Sequence, residues 1–198
     1  DTATGTKGDE KMFVYDRVNR KSSTLGKKTP KGAKILFGGK GADRFSDDKK
    51  LDGELLKEGV VSMDSFGDFT LHLEFRTPYK PKTKPGSQDR GNSGVYIFNN
   101  YETQILDSFG IKGEFNFCGA LYRKKPPAVN MCLPPLAWQT YDIEFTTPRF
   151  KDGKKVKNAR ITTRHNGVLI HDDFELDKGT GAGGGRPEKE KGQIHLQG

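Results

Sequence analysis

Apolar and polar positions alternate along much of this chain, most cleanly in Asp68–Arg76, DFTLHLEFR. Phe69, Leu71, Leu73 and Phe75 fall on one side of an extended backbone, and Thr70, His72, Glu74 and Arg76 on the other. A period of two is the mark of a half-buried strand. Trp138–Phe145 repeats it, with Tyr141, Ile143 and Phe145 set against Thr140, Asp142 and Glu144. Two β-rich runs joined by Asn166-Gly167 predict a hairpin, because that pair accepts the left-handed backbone of a tight turn. Ser93–Phe98 and Tyr101–Leu106 predict another across Asn99-Asn100. In its second arm Tyr101, Thr103 and Ile105 share one face, and Glu102, Gln104 and Leu106 the other. Asp107 has the opposite parity and joins Glu102 and Gln104 only if the strand bulges or ends there.

Helical periodicity is missing over any useful length. Short strands with turn signals roughly every eight to twelve residues predict an all-β chain folded as a two-sheet antiparallel sandwich, a jelly roll. Tyr79–Asn92, rich in Pro, Gly and Lys, reads as a long functional loop, a lid or an insertion. Gly179–Gly192 reads as a flexible surface loop. Its glycines do not sit between a strand and a helix, which argues against a phosphate cradle. Residues 1–32 are polar and basic, with Met12–Tyr15 as their apolar cluster, and read as an N-terminal extension to a domain over residues 33–198.

Composition narrows the function classes. Hydrophobic residues make up only 32% of the 198, but they are clustered, so a packed core is expected rather than disorder. Apolar runs reach four or five residues, too short for a membrane helix. The net charge of +8 is weighted towards the N-terminal region, through Lys7, Lys11, Arg17, Arg20, Lys21, Lys27, Lys28, Lys31, Lys34 and Lys40. Without aromatic-interleaved basic strands, zinc-finger spacing or a heptad-linked basic region, this charge does not read as a nucleic-acid interface; a solvated surface and a site for an anionic polymer both stay open. Cys118 and Cys132 are fourteen positions apart with no CxxC spacing, so a metal site is not predicted. A bridge between them, adding roughly 3 kcal/mol, and a pair of free core thiols both remain open. The four histidines do not suggest a metal triad. No cofactor is predicted, and a structural calcium on scattered oxygen ligands stays open. The opening DTATGTKGDE, polar and without Met, fits a processed N-terminus and a periplasmic or extracellular protein.

Several blocks in order carry a resemblance: ILFGGKGADRF, FGDFTLHLEFRTP, GNSGVYI, YETQILDS, CGALY, PPLAWQTYDIEF, HNGVLIHD and GQIHLQG. Together they resemble the DUF1080 family, the 3-keto-disaccharide hydrolases, which are concanavalin-like jelly rolls of bacteria. The resemblance implies a sugar cleft and a sugar or polysaccharide-derived small molecule as partner. It matches Glu102, Gln104 and Asp107 to the family's YE-x-QILD block, Arg76 to EFR, Asn92 to GNSG and Tyr122 to GALY. In the implied chemistry, the ketone at C3 of a 3-keto-glycoside acidifies the C2 proton. Glu102 would be the base, Asp107 an acid or orienting carboxylate, and Arg76 the stabiliser of the enolate. Asn92, Gln104, Tyr122, Glu74 and His72 would bind substrate, His72 being the histidine placed to carry a proton. The expected activity is glycosidic cleavage by C2 proton abstraction, or hydration of the unsaturated product. A non-catalytic carbohydrate-binding module of the same fold is the alternative. Two departures stand out. The family's closing strand, with its arginine, lies beyond Gly198, so one sheet is expected to carry an open edge. The Tyr79–Asp89 insertion is also longer than usual.

Overall fold

The computed structural model describes residues 2–16, 18–46 and 51–198; Arg17 lies outside the described residues. In chain order the strands are β1 (Thr2–Lys7), β2 (Glu10–Asp16), β3 (Leu51–Asp52), β4 (Leu55–Leu56), β5 (Val60–Val61), β6 (Phe69–Phe75) and β7 (Ser93–Ile97). They continue as β8 (Tyr101–Ile105), β9 (Gln139–Thr146), β10 (Arg149–Lys151), β11 (Lys154–Lys157), β12 (Ala159–His165), β13 (Val168–Leu176) and β14 (Ile194–Leu196). A 3-10 turn at Gly181–Gly185 is the only helical element among the described residues.

The body is an antiparallel sandwich. One sheet has the order β13-β12-β9-β6 and the other β5-β14-β7-β8. The alternation seen in the sequence becomes register here, with Phe69 opposite Phe145 and Leu71 opposite Ile143. Their inward side chains meet Val95, Ile97, Tyr101 and Ile194 of the second sheet in one core. Phe98 and Tyr101 reach across to Phe145 at ring separations of 5.5 and 5.3 Å. Each such buried side chain contributes about 1.5–3 kcal/mol. Cys118 and Cys132 are both free and buried, Cys118 Sγ lying 3.2 Å from the Tyr141 hydroxyl.

Local details refine the sequence reading. Asn166 and Gly167 take φ of 54° and 83°, the left-handed turn expected between β12 and β13. Between β7 and β8 the positive φ values fall on Phe98 and Asn99, at 56° and 63°. Ile97 pairs with Tyr101, so the turn holds three residues and not the Asn-Asn pair alone. β6 pairs with β9 and has no second neighbour among the described residues.

The basic N-terminal region has two parts. β1 and β2 pair only with each other among the described residues. Residues 22–27 instead pack on the outer face of the β6–β9 sheet. The Ser22 and Thr24 hydroxyls lie 2.7 and 2.6 Å from Thr140 Oγ1, and the Gly26 N–H donates to Glu74 Oε1 at 2.6 Å. Lys27 pairs with Asp142 at 3.2 Å. No helix among the described residues is long and apolar enough to cross a membrane.

Candidate active site

The β5-β14-β7-β8 sheet turns a polar face away from the core. Register sets Tyr96 opposite Glu102 and His195 opposite Tyr96, so these three form a row across β14, β7 and β8. Val95, Ile97 and Thr103, one step out of phase, point the other way. A Cβ at Gly94 would stand 2.6 Å from Glu102 Oε1, so glycine there leaves room for the carboxyl.

Glu102 is 1% exposed, and its Oε2 has no hydrogen-bond partner. Burial pushes its pKa from 4.5 up to about 7, with a hydrogen bond from the Tyr96 phenol pulling weakly the other way. Burial, together with that same carboxyl, raises the Tyr96 phenol above its ordinary value. A carboxyl with a proton affinity near neutrality can take a proton and give it back at working pH.

The backbone of Glu102 carries the walls. Its N–H donates to Thr180 Oγ1 at 2.7 Å, and its carbonyl accepts from the Tyr122 N–H at 3.1 Å. Thr180 N–H in turn donates to Asn100 O at 2.9 Å. One wall is therefore Tyr122–Lys124 and the other the run from Lys178 through the 3-10 turn. They enclose a cavity of about 700 Å³ with Tyr96 and Glu102 among its lining and Asn92 and Gln197 completing it. The glycine run is tightly packed here, unlike the flexible loop its composition suggests. A Cβ on Gly183 would lie 2.1 Å from Asn100 O.

Of the residues singled out by sequence, Glu102, Asn92 and Tyr122 line this cavity. Gln104 lies behind it, fully buried, its amide 2.8 Å from Glu102 Oε1 and Ser93 O and 2.9 Å from Asn92. With its nitrogen turned to Glu102 it donates to the carboxylate. Asp107 is elsewhere. β8 ends at Ile105, and the Asp107 carboxylate turns to accept from Arg90 Nε at 2.9 Å, with Arg90 Nη2 on the same oxygen. It does not line the cavity.

Arg76, Glu74 and His72 do not either, because β6 belongs to the opposite sheet. Arg76 lies over the Trp138 ring at 5.5 Å, and His72 Nδ1 meets Asp142 Oδ1 at 2.9 Å beside the Glu74 carboxylate. Sequence reasoning gave no role to Tyr96, Thr180, Arg123, Lys124, Lys178 or Gln197. The hairpin register could have placed Tyr96 beside Glu102. Nothing local could have placed Thr180. Among the described residues no group of three or more His, Cys, Asp or Glu side chains is set to hold a metal ion.

Two antiparallel sheets with an acid-floored, amide- and phenol-lined cavity on an outer face place this chain among glycosyl-hydrolase-like, carbohydrate-active β-sandwiches. It belongs to the 3-keto-alpha-glucoside-1,2-lyase-like domain family, whose model it matches over residues 32–198. Among solved structures it is similar to three from Parabacteroides distasonis, each described as a "putative glycosyl hydrolase". The first shares 28% identity at a TM-score of 0.69, covering 85% of this chain and 77% of the other. The second, at 20% identity and a TM-score of 0.53, covers 83% and 90%, and supports the fold. The third does the same at 16% identity and a TM-score of 0.56, covering 83% and 86%. Among curated proteins none matches.

Proposed function

We propose that the protein cleaves 3-keto-glycosides, with the Glu102 carboxylate removing the C2 proton. The observation that carries this reading is the Glu102 carboxyl itself, buried at the cavity floor with one oxygen unpartnered and a pKa of about 7. The C3 ketone makes the C2 hydrogen acidic. Glu102 takes that proton, the electron pair passes into the enolate, and collapse of the enolate breaks the bond from C1 to the leaving oxygen. The leaving oxygen needs a proton, and the carboxyl that has just received one is, among the described residues, the only carboxyl lining the cavity. Glu102 therefore serves both transfers, which the family resemblance divided between Glu102 and Asp107. The products are a free alcohol and a 1,2-unsaturated 3-keto-sugar, and water added across that double bond completes a net hydrolysis. The Tyr96 and Tyr122 phenols and the Asn92 amide supply donors for the enolate oxygen and the hydroxyls, the part first assigned to Arg76.

The test compares wild type and Glu102→Gln on a panel of 3-keto-glycosides beside their unoxidised parents. Turnover of the keto sugars alone is expected, falling about 10²–10⁴-fold in the variant, the usual share of a general base. Equal turnover of the parents, or activity that survives the substitution, overturns the reading. Saturable sugar binding without any turnover makes the domain a binding module.

A further inference from the structure

Apart from Glu102, every charged residue lining the cavity is a cation: Arg123, Lys124 and Lys178. Elsewhere some cations are held by acids, as where Arg160 meets Asp173 and Glu175, Arg164 meets Glu144 and Arg149 meets Asp68. At the cavity only Lys124 has an ion-pair partner among the described residues, namely Asp177. Arg123 lies over the Tyr122 ring at 5.4 Å, and Lys178, in no ion pair among the described residues, sits close enough to Asp177 to help hold that carboxyl below its ordinary value. Arg186 adds a further positive field on the Tyr96 side.

These cations are mounted with some care. Arg123 sits on the wall hung from the Glu102 carbonyl, and Lys178 on the wall hung from the Glu102 N–H through Thr180. Arg123 holds a φ of 57°, costly for a residue with a Cβ, fixed by its N–H donating to Phe115 O at 2.7 Å. Asn92 and Gln197, also in the lining, are uncharged.

We propose that this cavity takes a sugar carrying an anionic substituent, with Arg123 and Lys178 selecting for it and the neutral sugar face lying over Tyr96 and Glu102. A uronate carboxylate and a sulfate ester share the required chemistry. The inference rests on the cavity being the substrate site of the preceding section.

Binding is measured by calorimetry on Glu102→Gln protein, which holds substrate without cleaving it. The ligands are matched 3-keto-glycosides carrying a neutral 6-hydroxyl, a 6-carboxylate or a 6-sulfate. The expected result is a preference of about fivefold or more for a charged sugar, the scale of two rim ion pairs. That preference collapses on going from about 50 to about 300 mM salt, and in Arg123→Gln/Lys178→Gln. The neutral sugar loses less affinity than the charged ones in that variant, and whichever anion gains more identifies the source. Equal affinity for all three overturns the proposal. So does a double variant that weakens the neutral sugar equally.

In enzyme with Glu102 intact, the same double substitution should raise KM for the charged substrate and leave kcat alone. A fall in kcat for every substrate would assign the cations to the enolate instead and overturn selection. The two proposals fail separately. Charged sugars that bind preferentially with no turnover of any keto sugar remove the cleavage reading only. Neutral and charged keto sugars cleaved at equal KM remove the charge assignment only.

Discussion

Glu102 occupies a position that strains the fold for the sake of chemistry. Its folded pKa of about 7 stands above the 4.5 of the unfolded chain. Below pH 4.5 both states hold the proton and burial carries no ionic penalty. As the pH rises towards 7 the unfolded chain ionises first and the fold loses stability, about 3 kcal/mol once both states are ionised. Glu102→Gln keeps the shape and removes the charge. The variant should therefore match wild type near pH 4 and exceed it by up to about 3 kcal/mol at pH 8, read from urea midpoints at the two values. An equal difference at both would show that the carboxyl titrates as an ordinary acid. Catalysis asks for the opposite form. Activity should rise with pH through about 7 as the base loses its proton, a stability–activity conflict of a familiar kind. Gly94 is part of the same compromise, since any side chain there would drive the carboxyl from its place.

The elements around the cavity are tied by a few buried polar links, and the Tyr79–Asn92 loop shows it best. Arg90, 16% exposed at its side chain, places its guanidinium on the 1% exposed Asp107 carboxylate and donates to Thr83 O at 2.8 Å within its own loop. Gln88 reaches Asn116 O at 3.1 Å, and Asn92 ends the loop at the cavity. Removing one member of such a pair strands a buried charge, so Arg90→Met should lose about 3–5 kcal/mol in chemical denaturation. It should also weaken sugar binding through Asn92. A loss under about 1 kcal/mol would mean that the pair is solvated and the loop is anchored otherwise. Strand legibility in the sequence followed from the same physics: period-two burial is local, so Phe69–Phe75 and Tyr101–Ile105 were readable. So was the polar face of Glu102 and Gln104. What pairs across the sandwich is not local. The outward polarity of His72, Glu74 and Arg76 was visible, but that it belongs to the other sheet, half of it beneath residues 22–27, was not. The Gly179–Gly185 run looked flexible because its order comes from Asn100 and Glu102, far away along the chain.

Across the whole molecule, buried titratable groups oppose one another and set the pH of greatest stability. His165 and His171 are held neutral by burial, their pKa values pushed down from 6.5 to about 3 and about 4. His165 Nε2 lies 3.0 Å from Gln139 Oε1, and His171 Nε2 donates to Gly119 O at 2.7 Å. Both contribute stability that is complete above pH 6.5 and is lost as the pH falls, because the unfolded chain binds the protons the fold refuses. Glu102 has the reverse sign. Around pH 5.5 the unfolded state thus holds two protons on these histidines that the fold refuses, while the folded state holds one at Glu102 that the unfolded chain has lost; His195, whose pKa burial also lowers, adds to the histidine side. The net over Glu102, His165 and His171 is one proton, a rise of about 1.4 kcal/mol per pH unit. Near pH 7 the proton on folded Glu102 and those left on the unfolded histidines cancel, and the stability levels off. Asp68, held down to about 2 by its pairing with Arg149, titrates outside this window. Denaturation free energies measured every half unit from pH 4.5 to 8 should therefore climb to about pH 7 and stay nearly level above it. In Glu102→Gln the opposing proton is gone, so the acid limb should steepen to about 2.7 kcal/mol per unit and the climb should continue past pH 7. A flat wild-type curve from 4.5 to 6.5 would mean that the histidines take up protons inside the fold. An acid limb unchanged by the substitution would mean that Glu102 is ionised well below neutrality, and the base proposed for the cavity would lose its physical ground.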